Sequence, residues 1–155
     1  MWDGVVLRNK LDQSLGFFLG LTYRKVSHLL LQRLKEYNIT PEQWSVLVRI
    51  GERDGMIQKE IGERAAKDKP TTTRLLIALE EKGFIRKIGG EADRRSFLIY
   101  ITDKGREVLQ KTEPIEHQVM EEVTEGIPQA ELELLLKQLN QVAQNADYLL
   151  DKEKE

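Results

Sequence analysis

The segment Lys67-Asp68-Lys69-Pro70-Thr71-Thr72-Thr73-Arg74 places three consecutive hydroxyls among three cations. Farther along, Asp93-Arg94-Arg95 puts two guanidinium groups beside one carboxylate. Hydroxyls and guanidinium groups at close spacing suit non-covalent recognition: they bond phosphate oxygens and the donor and acceptor edges of bases, and a threonine methyl can touch a thymine methyl. Covalent chemistry has no comparable set. The chain has no cysteine and only two histidines, and it contains no glycine-rich phosphate loop, nucleophile elbow or metal-ligand cluster. Gly89-Gly90 reads as a turn. No catalytic residue, metal or cofactor is therefore expected.

The positions of these groups depend on the elements that carry them. Asp68 is a helix cap and Gly83 a helix stop, which predicts a helix over 69–82. At 100° per residue, Thr72, Leu75, Leu76 and Leu79 share one side. Pro70, Arg74, Ile77, Ala78 and Glu81 share the other, with Thr71 and Thr73 on the flanks. The outward face of the first two turns is small, polar and basic, as a helix entering a major groove requires. Thr72 falls on the core side but stays among the candidate contacts. A short helix over 58–65 precedes it across a turn of about three residues, the spacing of a helix-turn-helix, and contributes Lys59. The runs 84–88 and 97–101 are rich in β-branched and aromatic residues and read as a hairpin whose tip carries Asp93, Arg94 and Arg95. An arginine there suits a narrow minor groove, with Asp93 holding the tip or an arginine in place.

Flanking helices complete the frame. A helix is expected over residues 12–36; two largely apolar sets, Leu11 (just before it), Leu15, Phe18, Thr22, Val26 and Leu29, and Phe17, Leu21, His28 and Leu31, imply that it packs on two sides, one of them against a partner chain. Thr40-Pro41-Glu42-Gln43 reads as a capping box that starts a helix carrying Trp44. Thr102 caps a helix reaching about Glu125, which Pro114 is expected to kink or break. The last helix, from Pro128 to Asp151, bears Leu132, Leu135, Leu136, Leu139, Val142, Ala143, Ala146, Leu149 and Leu150. So much apolar surface in a chain of 155 residues points to a partner chain. Residues 1–39 are thus expected to form an N-terminal dimerisation helix, 40–105 a DNA-binding lobe and 106–155 C-terminal dimerisation helices, as one structural unit of α+β, mostly α, class.

The net charge of −2 is unevenly spread. Basic residues outnumber acidic ones six to three in 1–39 and thirteen to eleven in 40–105, whereas twelve acidic face five basic in 106–155. A neutral total thus hides a basic front, and the local sign is what a phosphate backbone senses. No apolar run is long enough to span a membrane and no secretory signal is visible, so a cytoplasmic protein is expected.

Lys67 to Leu76, then Leu79-Glu80-Glu81-Lys82-Gly83-Phe84-Ile85, resembles the recognition helix and first wing strand of the MarR family of bacterial regulators. Asp93-Arg94-Arg95-Ser96-Phe97-Leu98-Ile99-Tyr100-Ile101-Thr102-Asp103-Lys104-Gly105 is similar to that family's wing signature. The resemblance runs over roughly residues 15–150 and implies a homodimer of two winged helix-turn-helix lobes that reads a pseudo-palindromic operator in double-stranded DNA. It places Thr71, Thr72, Thr73 and Arg74 in or beside the major groove and Arg95, with Arg94, at the wing; Lys69, which supplies charge, and Pro70 are candidate contacts from the helix reading. It also implies a small aromatic or phenolic effector that releases a repressor from DNA, with Phe17, His28 and Trp44 as candidate lining. Two positions depart from the family pattern: Ile57 stands where a capping Thr or Ser is common, and Gly62 where Ala is usual. Each is expected to weaken the helix over 58–65 by about 1 kcal/mol. The competing reading is a winged-helix module that binds proteins and does not read DNA. Exposed Lys69, Arg74, Arg94 and Arg95 argue against it, because protein-binding faces carry exposed apolar anchors.

Overall fold

Helix α1 (Leu15–Leu34) starts where the Ser14 hydroxyl accepts the Phe17 amide at 3.4 Å and ends in a 3-10 turn over Lys35–Tyr37. In α2 (Pro41–Glu52) the capping box forms as expected: Thr40 Oγ1 accepts the Gln43 amide and Gln43 Oε1 accepts the Thr40 amide, both at 3.2 Å. Helices α3 (Gln58–Arg64) and α4 (Lys69–Glu81) follow, then the antiparallel strands β1 (Ile85–Ile88) and β2 (Leu98–Ile101). Helices α5 (Asp103–Val123) and α6 (Gln129–Lys152) close the chain. These elements come from a computed structural model that describes residues 14–89 and 97–154. No helix among the described residues is long and apolar enough to cross a membrane.

The chain divides after Val119 into two compact units. In the first, the periodic apolar positions of each element meet in one core. Val46, Leu47 and Ile50 of α2, Ile61 of α3, and Leu75, Leu76 and Leu79 of α4 are all at most 1% exposed. Leu34, Met56, Phe84 and Ile99 join them. The strands pair Ile85 with Ile101 and Ile88 with Leu98, and the buried residues alternate with Arg86 and other exposed ones. Between α2 and α3, Met56 extends this hairpin: its carbonyl accepts the Ile99 amide at 3.0 Å, and Gly55 donates to the Ile99 carbonyl at 2.9 Å. Asp54 then joins strand to helix, accepting the Ile101 amide on one oxygen (2.9 Å) and Arg106 on the other (2.8 Å). At the far end of α4, Lys82 donates to the Asn38 carbonyl (2.8 Å) and to Gln43 Oε1 (2.7 Å). One ammonium therefore ties the end of α4 to the start of α2, and its partial burial lowers its pKa.

Three expectations need correction. Pro114 does not break α5, which runs through it. The ring removes only the bond to the Gln110 carbonyl, on an exposed residue where water can take that role. In α1 the residues buried within the single chain are Leu30 and Leu34, which neither apolar set includes, while Leu15 and Phe18, about half exposed there, remain on the face for which a partner chain is expected. The third concerns Gly62. A Cβ there would lie 2.8 Å from Thr72 Oγ1 and 3.2 Å from the Lys67 carbonyl oxygen, so the glycine makes room for the threonine. It is a requirement of the α3–α4 packing and not a local weakness. An exposed helical Gly→Ala change stabilises by up to about 1 kcal/mol. Here Gly62→Ala is expected to destabilise by about 1–2 kcal/mol, as overpacking does. Chemical denaturation should show the loss, and Thr72→Ala should recover part of it in the double variant.

In the second unit, α6 spans 24 residues and none is buried. Its apolar stripe forms as read from the sequence, yet Leu136, Leu149 and Leu150 are each more than half exposed.

Candidate nucleic-acid interface

The start of α4 is built by its own cap. Asp68 Oδ1 accepts the Thr71 amide at 2.8 Å, and this bond, with the Thr71 hydroxyl, holds the carboxyl below the usual carboxylate range. Pro70 fits the first turn because an amide there has no helical partner to lose. The expected wheel holds for the buried side, where Thr72, Leu75, Leu76 and Leu79 point inward. Thr72 is therefore not a DNA contact. It is 1% exposed, with its hydroxyl turned to the Asp68 carbonyl at 2.7 Å, and this burial keeps it from reaching a base. Lys69, Pro70 and Arg74 are exposed, and Thr71 and Thr73 are half-buried on the flanks. Lys69, Pro70, Thr73, Arg74 and Ile77 together line an open groove of about 500 Å³ along the outward face.

Helix α3 braces this face. Gln58 Nε2 donates to Thr73 Oγ1 at 2.6 Å, while that hydroxyl donates to the Lys69 carbonyl at 2.9 Å. The Thr73 side chain is thereby fixed in one orientation, which a group reading base edges requires. Helix α3 has only half a capping box. The Ile57 amide donates to Glu60 Oε2 at 3.3 Å, but Ile57 has no side-chain acceptor to return the bond. Lys59 is 80% exposed and 4.0 Å from Glu63.

A second hollow, of about 570 Å³, opens between α3, the start of α4 and the hairpin. Lys59, Lys67, Lys69 and Lys87 line it against a single acid, Glu63. Three of these ammonium groups stand within 4.0 Å of a carboxylate, Lys59 of Glu63, Lys67 of Glu42 and Lys87 of Glu80, so the hollow carries a modest positive excess. Beside it, Glu42 of α2 reaches two cations, Arg74 Nη2 at 3.3 Å and Lys67 Nζ at 3.9 Å. Sequence reading missed Gln58, Lys67, Lys87 and Glu42 as parts of this face. Lys67 alone had a signal, its place in the basic segment.

The other candidates stand elsewhere. Asp93, Arg94 and Arg95 lie outside the described residues. Phe17 is half-buried and edge-on to Phe18, with ring centroids 5.9 Å apart. The Trp44 indole N–H donates to Thr112 Oγ1 at 2.9 Å, so its one polar group serves α2–α5 packing. His28 is exposed. Neither hollow above is lined by Phe17, His28 or Trp44.

Comparison with known proteins places this geometry in context. The sequence model of the MarR family matches residues 39–97, the stretch from the α2 cap to the hairpin. The transcriptional regulator SarZ of Staphylococcus haemolyticus is 30% identical over 139 residues, covering 89% of this chain and 93% of that protein. Among solved structures, the transcriptional repressor CouR bound to a 23-mer DNA duplex is 28% identical with a TM-score of 0.76, over 86% of this chain and 94% of the other. The transcriptional regulator SlyA is 27% identical with a TM-score of 0.74, over 83% and 90% of the two chains.

Proposed function

Because the chain belongs to the MarR family of winged helix-turn-helix transcriptional regulators, we propose that it acts in the cytoplasm as a homodimeric repressor that occupies a pseudo-palindromic operator. Members of this family regulate transcription by binding DNA and are not enzymes. The finer reading assigns residues 40–105 to the DNA-binding lobe and the segments on either side to dimerisation. One observation carries it. Over the first two turns of α4, Lys69, Pro70 and Arg74 are exposed with Thr71 and Thr73 beside them, while the alternate positions form the core. That separation leaves a capped helix end whose outward groups are two hydroxyls, a guanidinium and an ammonium. Lys59 and Lys69 take phosphates in this reading, and Thr71, Thr73 and Arg74 reach base edges. Release by a small aromatic or phenolic effector is part of the same proposal and rests on the family resemblance alone.

Selection of genomic fragments by the purified protein, at near-physiological salt with competitor DNA, tests this function. The expected product is a short inverted repeat whose half-sites lie about 10 bp, one helical turn, apart. Recovery of no preferred sequence would favour a protein-binding winged helix instead.

A further inference from the structure

Glu42 is the one acidic side chain within ion-pair distance of Arg74 among the described residues. Its backbone sits in the first turn of α2, fixed by the capping box and by Ser45 Oγ donating to its carbonyl at 2.9 Å. A carboxylate is well placed there, because the positive end of the helix dipole favours it. One oxygen takes Arg74 Nη2 at 3.3 Å, and the other faces Lys67 Nζ at 3.9 Å. Both cations belong to the proposed DNA face, and Arg74 is 65% exposed on it. A negative charge has been set where phosphate is expected to approach.

We propose that Glu42 is a specificity-determining residue: it holds Arg74 and Lys67 away from indiscriminate phosphate contact, leaving the remaining guanidinium donors for a base edge. The inference rests on the DNA-binding function proposed above. A phosphate that seeks Arg74 must displace or face the Glu42 carboxylate, and this penalty applies on every sequence. An operator that offers Arg74 a guanine edge engages donors that Glu42 leaves free, since arginine has five N–H groups and the ion pair uses one. The carboxylate therefore costs non-specific binding more than specific binding, which is how a repulsive element sharpens discrimination.

The test is a double-variant cycle in fluorescence anisotropy, with the selected operator and an unrelated duplex of equal length. Parent, Glu42→Gln, Arg74→Ala and the double variant are each titrated at several salt concentrations. Glu42→Gln is nearly isosteric, and an unchanged denaturation midpoint shows that the fold is kept. It should tighten binding to the unrelated duplex by roughly threefold per half of the dimer and about tenfold for both, the Coulomb effect of removing one charge about 6 Å from a phosphate at each half in a water-like dielectric. Operator affinity should rise by less or fall, so the ratio of the two shrinks. The salt slope on the unrelated duplex should steepen by about 0.9 for each cation freed. Glu42→Asp keeps the charge and should hold the ratio near that of the parent. In the Arg74→Ala background, Glu42→Gln should move the ratio much less. An unchanged ratio in Glu42→Gln, or an equal change with and without Arg74, overturns the role of Glu42 while leaving the DNA-binding function standing. A parent protein that prefers no duplex at all overturns that function, and this inference with it.

Discussion

Arg74→Ala should weaken operator binding by about 1–3 kcal/mol per half-site, the worth of a bidentate arginine–guanine contact. A symmetric dimer presents the residue twice, so the loss for the whole complex is about 2–6 kcal/mol, roughly 1.5 to 4 decades in affinity. Folding should barely change. Arg74 is 65% exposed, and an exposed ion pair such as that with Glu42 is worth at most about 1 kcal/mol. Anisotropy titration of operator beside a denaturation curve separates the two effects. Binding to unrelated duplex should fall much less, because Lys59 and Lys69 keep their phosphates. If operator and unrelated duplex lose affinity equally, Arg74 contacts the backbone and not a base.

The second large effect concerns α6. Leu136→Glu combined with Leu149→Glu should convert a dimer into an 18.0 kDa monomer, read by sedimentation at micromolar concentration. Both leucines are more than half exposed within one chain, on a helix that buries none of its 24 residues. Helices of this length owe most of their stability to a packed apolar face. Covering each leucine is worth about 1.5–3 kcal/mol, and a two-fold axis doubles the count. The inserted carboxylates add the cost of burying charge. Without the dimer, the two half-sites no longer share one molecule, and operator affinity should drop by about two to four decades as the effective concentration is lost. A parent chain that sediments as a monomer would remove the basis for this expectation.

The sequence makes legible whatever follows from local rules. Asp68, Pro70 and Gly83 bracket α4, and the 3.6-residue period separates Leu75, Leu76 and Leu79 from Arg74. The Thr40–Gln43 box is visible for the same reason, since its partners lie three residues apart. Pairings set by tertiary packing are not legible. Glu42 meets Arg74 across 32 positions, Gln58 meets Thr73 across 15, and Lys82 reaches back to Asn38 and Gln43. No periodicity encodes these partners, because each depends on how α2, α3 and α4 cross. Gly62 and Thr72 show the same limit in another form. Read separately, one looks like a weak helix residue and the other like a groove contact. In the fold they are complementary, with the glycine leaving the space that the threonine hydroxyl fills. The bond from the Trp44 N–H to Thr112, 68 residues away, is likewise not visible in the sequence.

The most direct test of the central claim is dimethyl sulfate footprinting of the parent protein on its selected operator. This reagent methylates guanine N7 in the major groove and adenine N3 in the minor groove. With the exposed end of α4 seated in the major groove, guanine N7 atoms should be protected in two clusters about one helical turn apart on one side of the duplex. Arg74→Ala should restore reactivity at one guanine in each cluster. Full N7 reactivity throughout the bound site, with protection confined to adenine N3, would contradict a major-groove role for α4.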